Sequence, residues 1–342
     1  MVEFETTPGR TCFINGEEFL FFSGYSYLGI NYVKEFKELV KNGVDKYGIL
    51  FPSSRISNTR LKLYTEFEND LSQLTGMEDT VSFSSGFLAG LTIRDILSFY
   101  KNVFTAPYTH PAIKTKTFNE DTNENFTEWG ETITGVINSS AENEFVVCCD
   151  SVNILKSEIH DLSFIKNIRD DKKIIVLVDD SHGIGILGKS GEGIISQLPD
   201  VANVEYLISY SLSKAFNIEG GAISCSKYWS DQLRQHANYT ASTAINPSLI
   251  YAYLKSKSLY ARQRQKLFEN IAYLRGNSRL FTNNFKLPVF ICNKESAEEY
   301  FHNHKIIISS FGYPHLSSGK IDRIVVNALH TKADMDHLLN VL

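Results

Sequence analysis

The sequence has little of what marks a disulfide-stapled, metal-bound or membrane-embedded protein. Its five cysteines among 342 residues, Cys12, Cys148, Cys149, Cys225 and Cys292, are odd in number and include no Cys-x-x-Cys pair, which argues against a disulfide framework and against a zinc site. They read as free thiols, with Cys148 and Cys149 in FVVCCD as small buried hydrophobes. No apolar run approaches the ~20 residues needed to span a bilayer. No block of five like charges occurs, and a net charge of −5 offers no basic footprint for nucleic acid or a membrane surface. The opening residues carry acids and a Pro-Gly pair where a leader would need a basic start and an apolar stretch. A cytosolic protein acting on small molecules is the expectation.

What is there is enough for one or two cores: 43% of the residues are hydrophobic, and the length is well above the minimum for independent folding. The middle of the chain alternates short β-branched runs with helix-like stretches, the pattern of an α/β fold with a mostly parallel sheet wrapped by helices. The strand-like runs are residues 79–85, 143–150, 173–180 and 204–211. An amphipathic helix is expected over residues 59–76, where Leu61, Tyr64, Phe67, Leu71 and Leu74 keep a 3–4 spacing and Gly76 supplies the stop. From about residue 236 the composition shifts to a long helical segment (248–276), then short strands and a final helix (332–342). The expected organisation is an N-terminal arm (1–45), a large domain (46–235) and a smaller α+β C-terminal domain (236–342). Residues 114–142 are polar and suggest no chemistry.

Three clusters carry chemistry. Lys214 follows a strand-like run and precedes Gly220-Gly221; an amine at a strand end, in a partly desolvated pocket that lowers its pKa, suits Schiff-base formation with a carbonyl. A solvated surface lysine is the competing reading. In VLVDDSHGIGILGKSGEG, Asp179 and Asp180 close an apolar strand, with His182 just beyond. An acid there can hold a pyridinium nitrogen protonated through a charge-assisted bond, or it can merely cap a turn. Gly183, Gly185 and Gly188 spell a dinucleotide fingerprint, but no helical apolar period opens inside them, so a nicotinamide or flavin site is rejected. The third cluster, SFSSGFLAG (82–90), is a small-residue turn between a strand and a helix. Its backbone N–H groups and the Ser84 and Ser85 hydroxyls suit a phosphate.

The order of these clusters resembles the α-oxoamine synthases, a branch of the fold-type-I pyridoxal-phosphate enzymes. The likeness runs nearly end to end, through FINGEEFLFFSGYSYLGI, SSRISNTRLKLYTEFENDLSQLTG, SSGFLAG, DDSHGIGILGKSGEG, SLSKAFNIEGG, STAINPS and RIVVNALHTKADMDHLL. The DDSH and SLSKA segments at their mutual spacing are the specific ones. The resemblance implies pyridoxal 5′-phosphate as cofactor, on a Schiff base with Lys214. It implies Asp179 as partner of the pyridine nitrogen, His182 as partner of the ring hydroxyl, Ser181 against one ring face and His110 stacked on the other. It further implies that Ser85, Gly86 and Phe87 hold the phosphate, helped by Ser211 and by Thr243 from the other subunit of a homodimer with shared sites.

The activity implied is condensation of an amino acid with an acyl thioester, usually with loss of carbon dioxide, to give a 2-amino ketone. Transamination or aldol cleavage on the same fold is the alternative, and a non-catalytic binding module is a third reading. The chain also departs from the family pattern. Ala106 stands for an Asp four residues before the stacking histidine, Gly90 for an Asn, and residues 154–157 (Ile, Leu, Lys, Ser) for a Ser-Met-Asp-Gly loop. Counting back from Pro314 puts Ser309 where the family has an arginine, and a later Arg-x-Arg is reduced to Ile321 and Arg323. Arg55, in FPSSRIS, is the expected grip for the substrate carboxylate, against the alternative that it pairs with an acid.

Overall fold

A computed structural model describes residues 3–115, 125–277, 281–284, 286–312 and 319–342; Pro314 lies outside them. Its centre is a six-stranded sheet in the spatial order Asp79–Phe83, Gly221–Cys225, Val204–Ser211, Lys173–Asp179, Glu144–Asp150, Val103–Thr105. The last four pair in parallel, and Gly221–Cys225 runs antiparallel to both its neighbours. The strands Lys173–Asp179 and Glu144–Asp150 are buried along nearly their whole length, as continuous apolar runs covered on both faces must be.

This topology sends every connection that matters to one edge. Parallel strands end together, so the residues after Thr105, Asp150, Asp179 and Ser211 emerge side by side. Gly221 is the register partner of both Ser211 and Phe83, so the chain after Phe83 emerges there too. Such an edge is where open α/β sheets bind ligands.

Each expected strand forms. So does the first expected helix, Lys62–Thr75, which buries Leu63, Tyr64, Phe67 and Leu71 and ends where Gly76 turns left-handed at φ 70°. Two boundaries differ from the sequence reading. The helix after the small-residue turn begins at Gly86, because the Ser85 side chain accepts the Leu88 N–H and starts the helix there. The long C-terminal helical segment is two helices, Pro247–Lys255 and Lys257–Asn277, divided at the buried Ser256, whose backbone leaves helical geometry.

A second sheet joins the two ends of the chain. The hairpin Thr11–Ile14 and Glu17–Phe22 adds to Ile306–Gly312, followed by Lys320–Val325, Val289–Cys292 and Phe281–Thr282. The pairing of Glu17–Phe22 with Ile306–Gly312 is parallel. All five cysteines are buried free thiols. Among the described residues, no helix is long and apolar enough to cross a membrane.

Candidate active site

Lys214 stands three residues past the strand Val204–Ser211, and its Nζ lies 2.9 Å from Nε2 of His182. The other ring nitrogen, Nδ1, lies 2.7 Å from the Tyr27 hydroxyl. An ammonium only donates, so Nε2 accepts from Lys214 and Nδ1–H donates to Tyr27 Oη. Burial, together with the charges of Lys214, Arg323 and His110, holds the His182 imidazole well below its ordinary range, so the ring is neutral. Burial also lowers the Lys214 ammonium, against the opposing pull of the neighbouring Asp179. A lysine so placed gives up its proton more readily than one in water, and the free amine is the form that attacks a carbonyl.

Asp179 closes the neighbouring strand, and its Oδ1 accepts the Ser181 N–H at 2.9 Å. Ser181 Oγ in turn accepts the Ser211 N–H at 2.9 Å, which ties the acid loop to the lysine strand. His110 arrives from the first parallel strand on a loop where Tyr108 adopts φ 62°. Its Nδ1 accepts the Ala112 N–H at 3.2 Å and stands 3.9 Å from Asp179 Oδ2. The first contact makes Nδ1 an acceptor, and the second is too long for a hydrogen bond. The His110 ring meets that of Phe87 edge-on, with centroids 6.3 Å apart.

The small-residue turn closes the group. A Cβ on Gly86 would stand 2.6 Å from the Ser211 Cβ, and one on Gly221 would stand 2.3 Å from the Gly86 Cα. Only glycines let these backbones approach. The helix Gly86–Leu97 opens here with its first N–H groups beyond reach of an intrahelical acceptor, and the Ser211 and Ser213 hydroxyls lie 2.8 Å apart beside them. A backbone cradle, a strand-end carboxylate and a depressed lysine together fit a phosphorylated pyridine aldehyde.

The glycines of the apparent dinucleotide fingerprint have a different task. A Cβ on Gly183 would stand 2.0 Å from Asp180 Oδ1, and one on Gly193 1.9 Å from Oδ2. The loop wraps the buried Asp180 carboxyl, which burial pushes up to about 7 and whose Oδ2 accepts the Ile194 N–H at 2.9 Å.

The structure thus brings Lys214, Asp179, His182, His110, Ser181, Ser211, Ser85, Gly86 and Phe87 to one edge. It does not bring Arg55 there. That guanidinium donates to the Ser82 carbonyl at 2.5 Å and to Glu68 at 3.3 Å, and lies over the Tyr239 ring; the donors offered to a substrate by the sequence reading are spent on Glu68 and Ser82. Thr243 is exposed on the loop before the helix Pro247–Lys255. Three residues of the site were overlooked as site residues. Tyr27 lies inside the quoted SYLGI motif. Asp150 ends the strand that carries Cys148 and Cys149, and its side chain accepts the His110 N–H at 3.0 Å. Arg323, seen in the sequence as the remnant of an Arg-x-Arg, is buried; among the described residues its Nε has no hydrogen-bond partner, and its charge is felt by Tyr27, His182 and Lys214.

The model of the family Aminotransferase class I and II matches residues 28–342. The chain belongs to that family. Within it, the chain is 27% identical over 361 residues to the 8-amino-7-oxononanoate synthase of Petrotoga mobilis, covering 98% of this chain and 90% of that one. Among solved structures it is similar to the serine palmitoyltransferase of Sphingomonas wittichii, with a TM-score of 0.83 at 18% identity over 99% of this chain and 90% of that one. It is also similar to a serine palmitoyltransferase variant from S. paucimobilis solved with a bound PLP–myriocin aldimine, with a TM-score of 0.83 at 17% identity over 100% and 91% of the two chains. At these identities the two structures establish the fold. The resemblance to α-oxoamine synthases and the fold class read from the sequence are both borne out.

Proposed function

We propose that this family member binds pyridoxal 5′-phosphate and condenses an amino acid with an acyl thioester to give a 2-amino ketone, a thiol and carbon dioxide. The observation that carries the reading is the Tyr27–His182–Lys214 chain standing beside Asp179 at the sheet edge. Bound there, the cofactor supplies an electron sink that makes the α-proton of the amino acid acidic. Lys214 would hold the cofactor through its aldehyde and would be the group that moves the α-proton of the amino acid. Asp179 would keep a proton on the pyridine nitrogen, neutral His182 orients the lysine and would hold the ring hydroxyl, and Ser181 and His110 would hold the ring between them. Ser85, Gly86, Phe87 and Ser211 would hold the phosphate.

Arg323 takes the substrate carboxylate in this reading. It is buried, and among the described residues it meets no carboxylate, a costly state that a bound anion relieves. Arg323→Ala is expected to raise KM for the amino acid by one to two powers of ten, the order of ~1.5–3 kcal/mol for a hydrogen bond to a charged group. Cofactor affinity should stay unchanged, and an unaltered KM would remove Arg323 from the role. Gly86→Ala should act on the other ligand. The added Cβ meets the Ser211 Cα at 2.7 Å, so the cradle must open and cofactor affinity should fall about tenfold or more, as read by absorbance titration.

The finer assignments belong to the same proposal. The protein works in the cytoplasm as a homodimer, with Thr243 reaching the phosphate of the partner subunit's site. Exposed Val44, Ile49, Leu50, Ile56 and Phe87 supply apolar surface for that association. The chain divides into the arm (1–45), large domain (46–235) and small domain (236–342), with the arm's hairpin completing the small domain's sheet. The test is incubation of the purified protein with amino acids, with and without acyl thioesters. Equal release of thiol and carbon dioxide, dependent on both substrates, is expected. A cofactor converted to its amine form, with keto acid produced in the absence of thioester, would overturn the reading in favour of transamination.

A further inference from the structure

Two adjacent strands of the large sheet end in an acid at the same height. Asp150 and Asp179 are register partners in parallel strands, so their side chains leave the same face of the sheet about 4.8 Å apart in the hydrogen-bonding direction. The proposed chemistry uses Asp179 and leaves Asp150 without a task.

The contacts of Asp150 are specific. Its Oδ1 accepts the backbone N–H of His110 at 3.0 Å, and its carbonyl accepts the Nδ1–H of buried His160 at 2.8 Å. The charged and titratable groups around its carboxyl are Asp179 on the next strand, His110 on the loop, Lys214 beyond that strand and the Cys149 thiol beside it. The loop it holds is conformationally costly, because Tyr108, two residues before His110, sits in the left-handed region. An anchor on the His110 backbone therefore sets where the imidazole stands relative to Asp179. Like charges so close in a desolvated site do not both ionise. Burial and the Asp179 charge push the Asp150 carboxyl well above the usual carboxylate range, against the opposing pull of the His110 N–H and of Lys214.

We infer that Asp150 is a positioning residue held as the neutral acid: it fixes His110 over the site through the backbone N–H and adds no second charge beside Asp179. What His110 and Asp179 then do rests on the proposed function; the neutral acid itself does not. Two variants of the full chain separate the parts. Asp150→Asn keeps an acceptor for the His110 N–H and carries no charge, whereas Asp150→Ala loses the acceptor. Infrared difference spectra of wild type minus Asp150→Asn at neutral pH should contain the carbonyl band of a protonated carboxylic acid, whether or not cofactor is present. Ionised-carboxylate bands in its place would overturn the inference.

In the holoenzyme, Asp150→Asn should keep the pH midpoint of the cofactor's visible absorbance within about 0.3 unit of wild type and turnover within about threefold. Asp150→Ala should lower turnover about tenfold, the worth of one lost hydrogen bond in a buried site, with KM for the amino acid unmoved. A midpoint shifted by about one unit or more in Asp150→Asn would report a lost negative charge, and an Asp150→Ala enzyme indistinguishable from wild type would deny the positioning role. Either result overturns the inference. An acid band in a protein that shows no cofactor absorbance would uphold the neutral acid and defeat the cofactor reading instead.

Discussion

Lys214→Ala is expected to abolish covalent attachment of the cofactor and to lower turnover by about 10²–10⁴-fold, the range lost when a positioned proton-transfer group is removed. The size of the effect follows from the lysine's two duties in the proposed reaction, holding the aldehyde carbon and moving the α-proton. Residual cofactor should bind without being fixed by borohydride, because the phosphate cradle at Gly86 and the strand-end Asp179 do not depend on the lysine. Turnover within tenfold of wild type, or borohydride-fixed cofactor in this variant, would move the amine role elsewhere.

The largest effect on stability is expected from a residue outside the chemistry. Glu68 is 2% exposed and receives Arg55 at 3.3 Å, Arg60 at 3.2 Å and Arg234 at 3.2 Å, together with the Ser82 N–H at 3.0 Å and hydroxyl at 2.7 Å. Arg234 also meets Asp79 at 2.6 Å, but the Arg55 guanidinium, with 6% of its side chain exposed, has Glu68 as its acidic partner. Glu68→Ala leaves that charge buried and unpaired, which costs about 3–5 kcal/mol. Urea unfolding should show the midpoint falling with an unchanged slope, and Glu68→Gln, which keeps an acceptor for Ser82, should lose less. A loss below about 1 kcal/mol would mean that water reaches the cluster and that the ion pairs behave as surface pairs.

The two predictions divide along a line that also separates what could be read in the sequence from what could not. The sheet edge was legible because each of its parts is local. A β-branched run ending in an acid or in a small residue, followed by glycines or serines, marks a strand end and the turn after it. Asp179, His182, Lys214 and the Ser85–Gly86 turn all stand in such segments. Partnerships between distant segments have no local signature. The parallel pairing of Glu17–Phe22 with Ile306–Gly312 joins residues nearly the whole chain apart, and register of that kind is set by tertiary packing. Arg55 was drawn toward the substrate by its position in a motif, whereas the nearest buried acid decides where a guanidinium goes. Tyr27 and Asp150 carry no local signal for the same reason, since their value lies in His182 and His110, which only folding brings to them.

Borohydride reduction of the wild-type protein with pyridoxal 5′-phosphate, followed by proteolysis and mass spectrometry, tests the central claim most directly. The account predicts a phosphopyridoxyl mass on the peptide containing Lys214, at one group per chain, and its loss when an excess of amino acid is added before reduction. Label spread over exposed lysines such as Lys156 and Lys189, or a Lys214 peptide of unmodified mass, would contradict it.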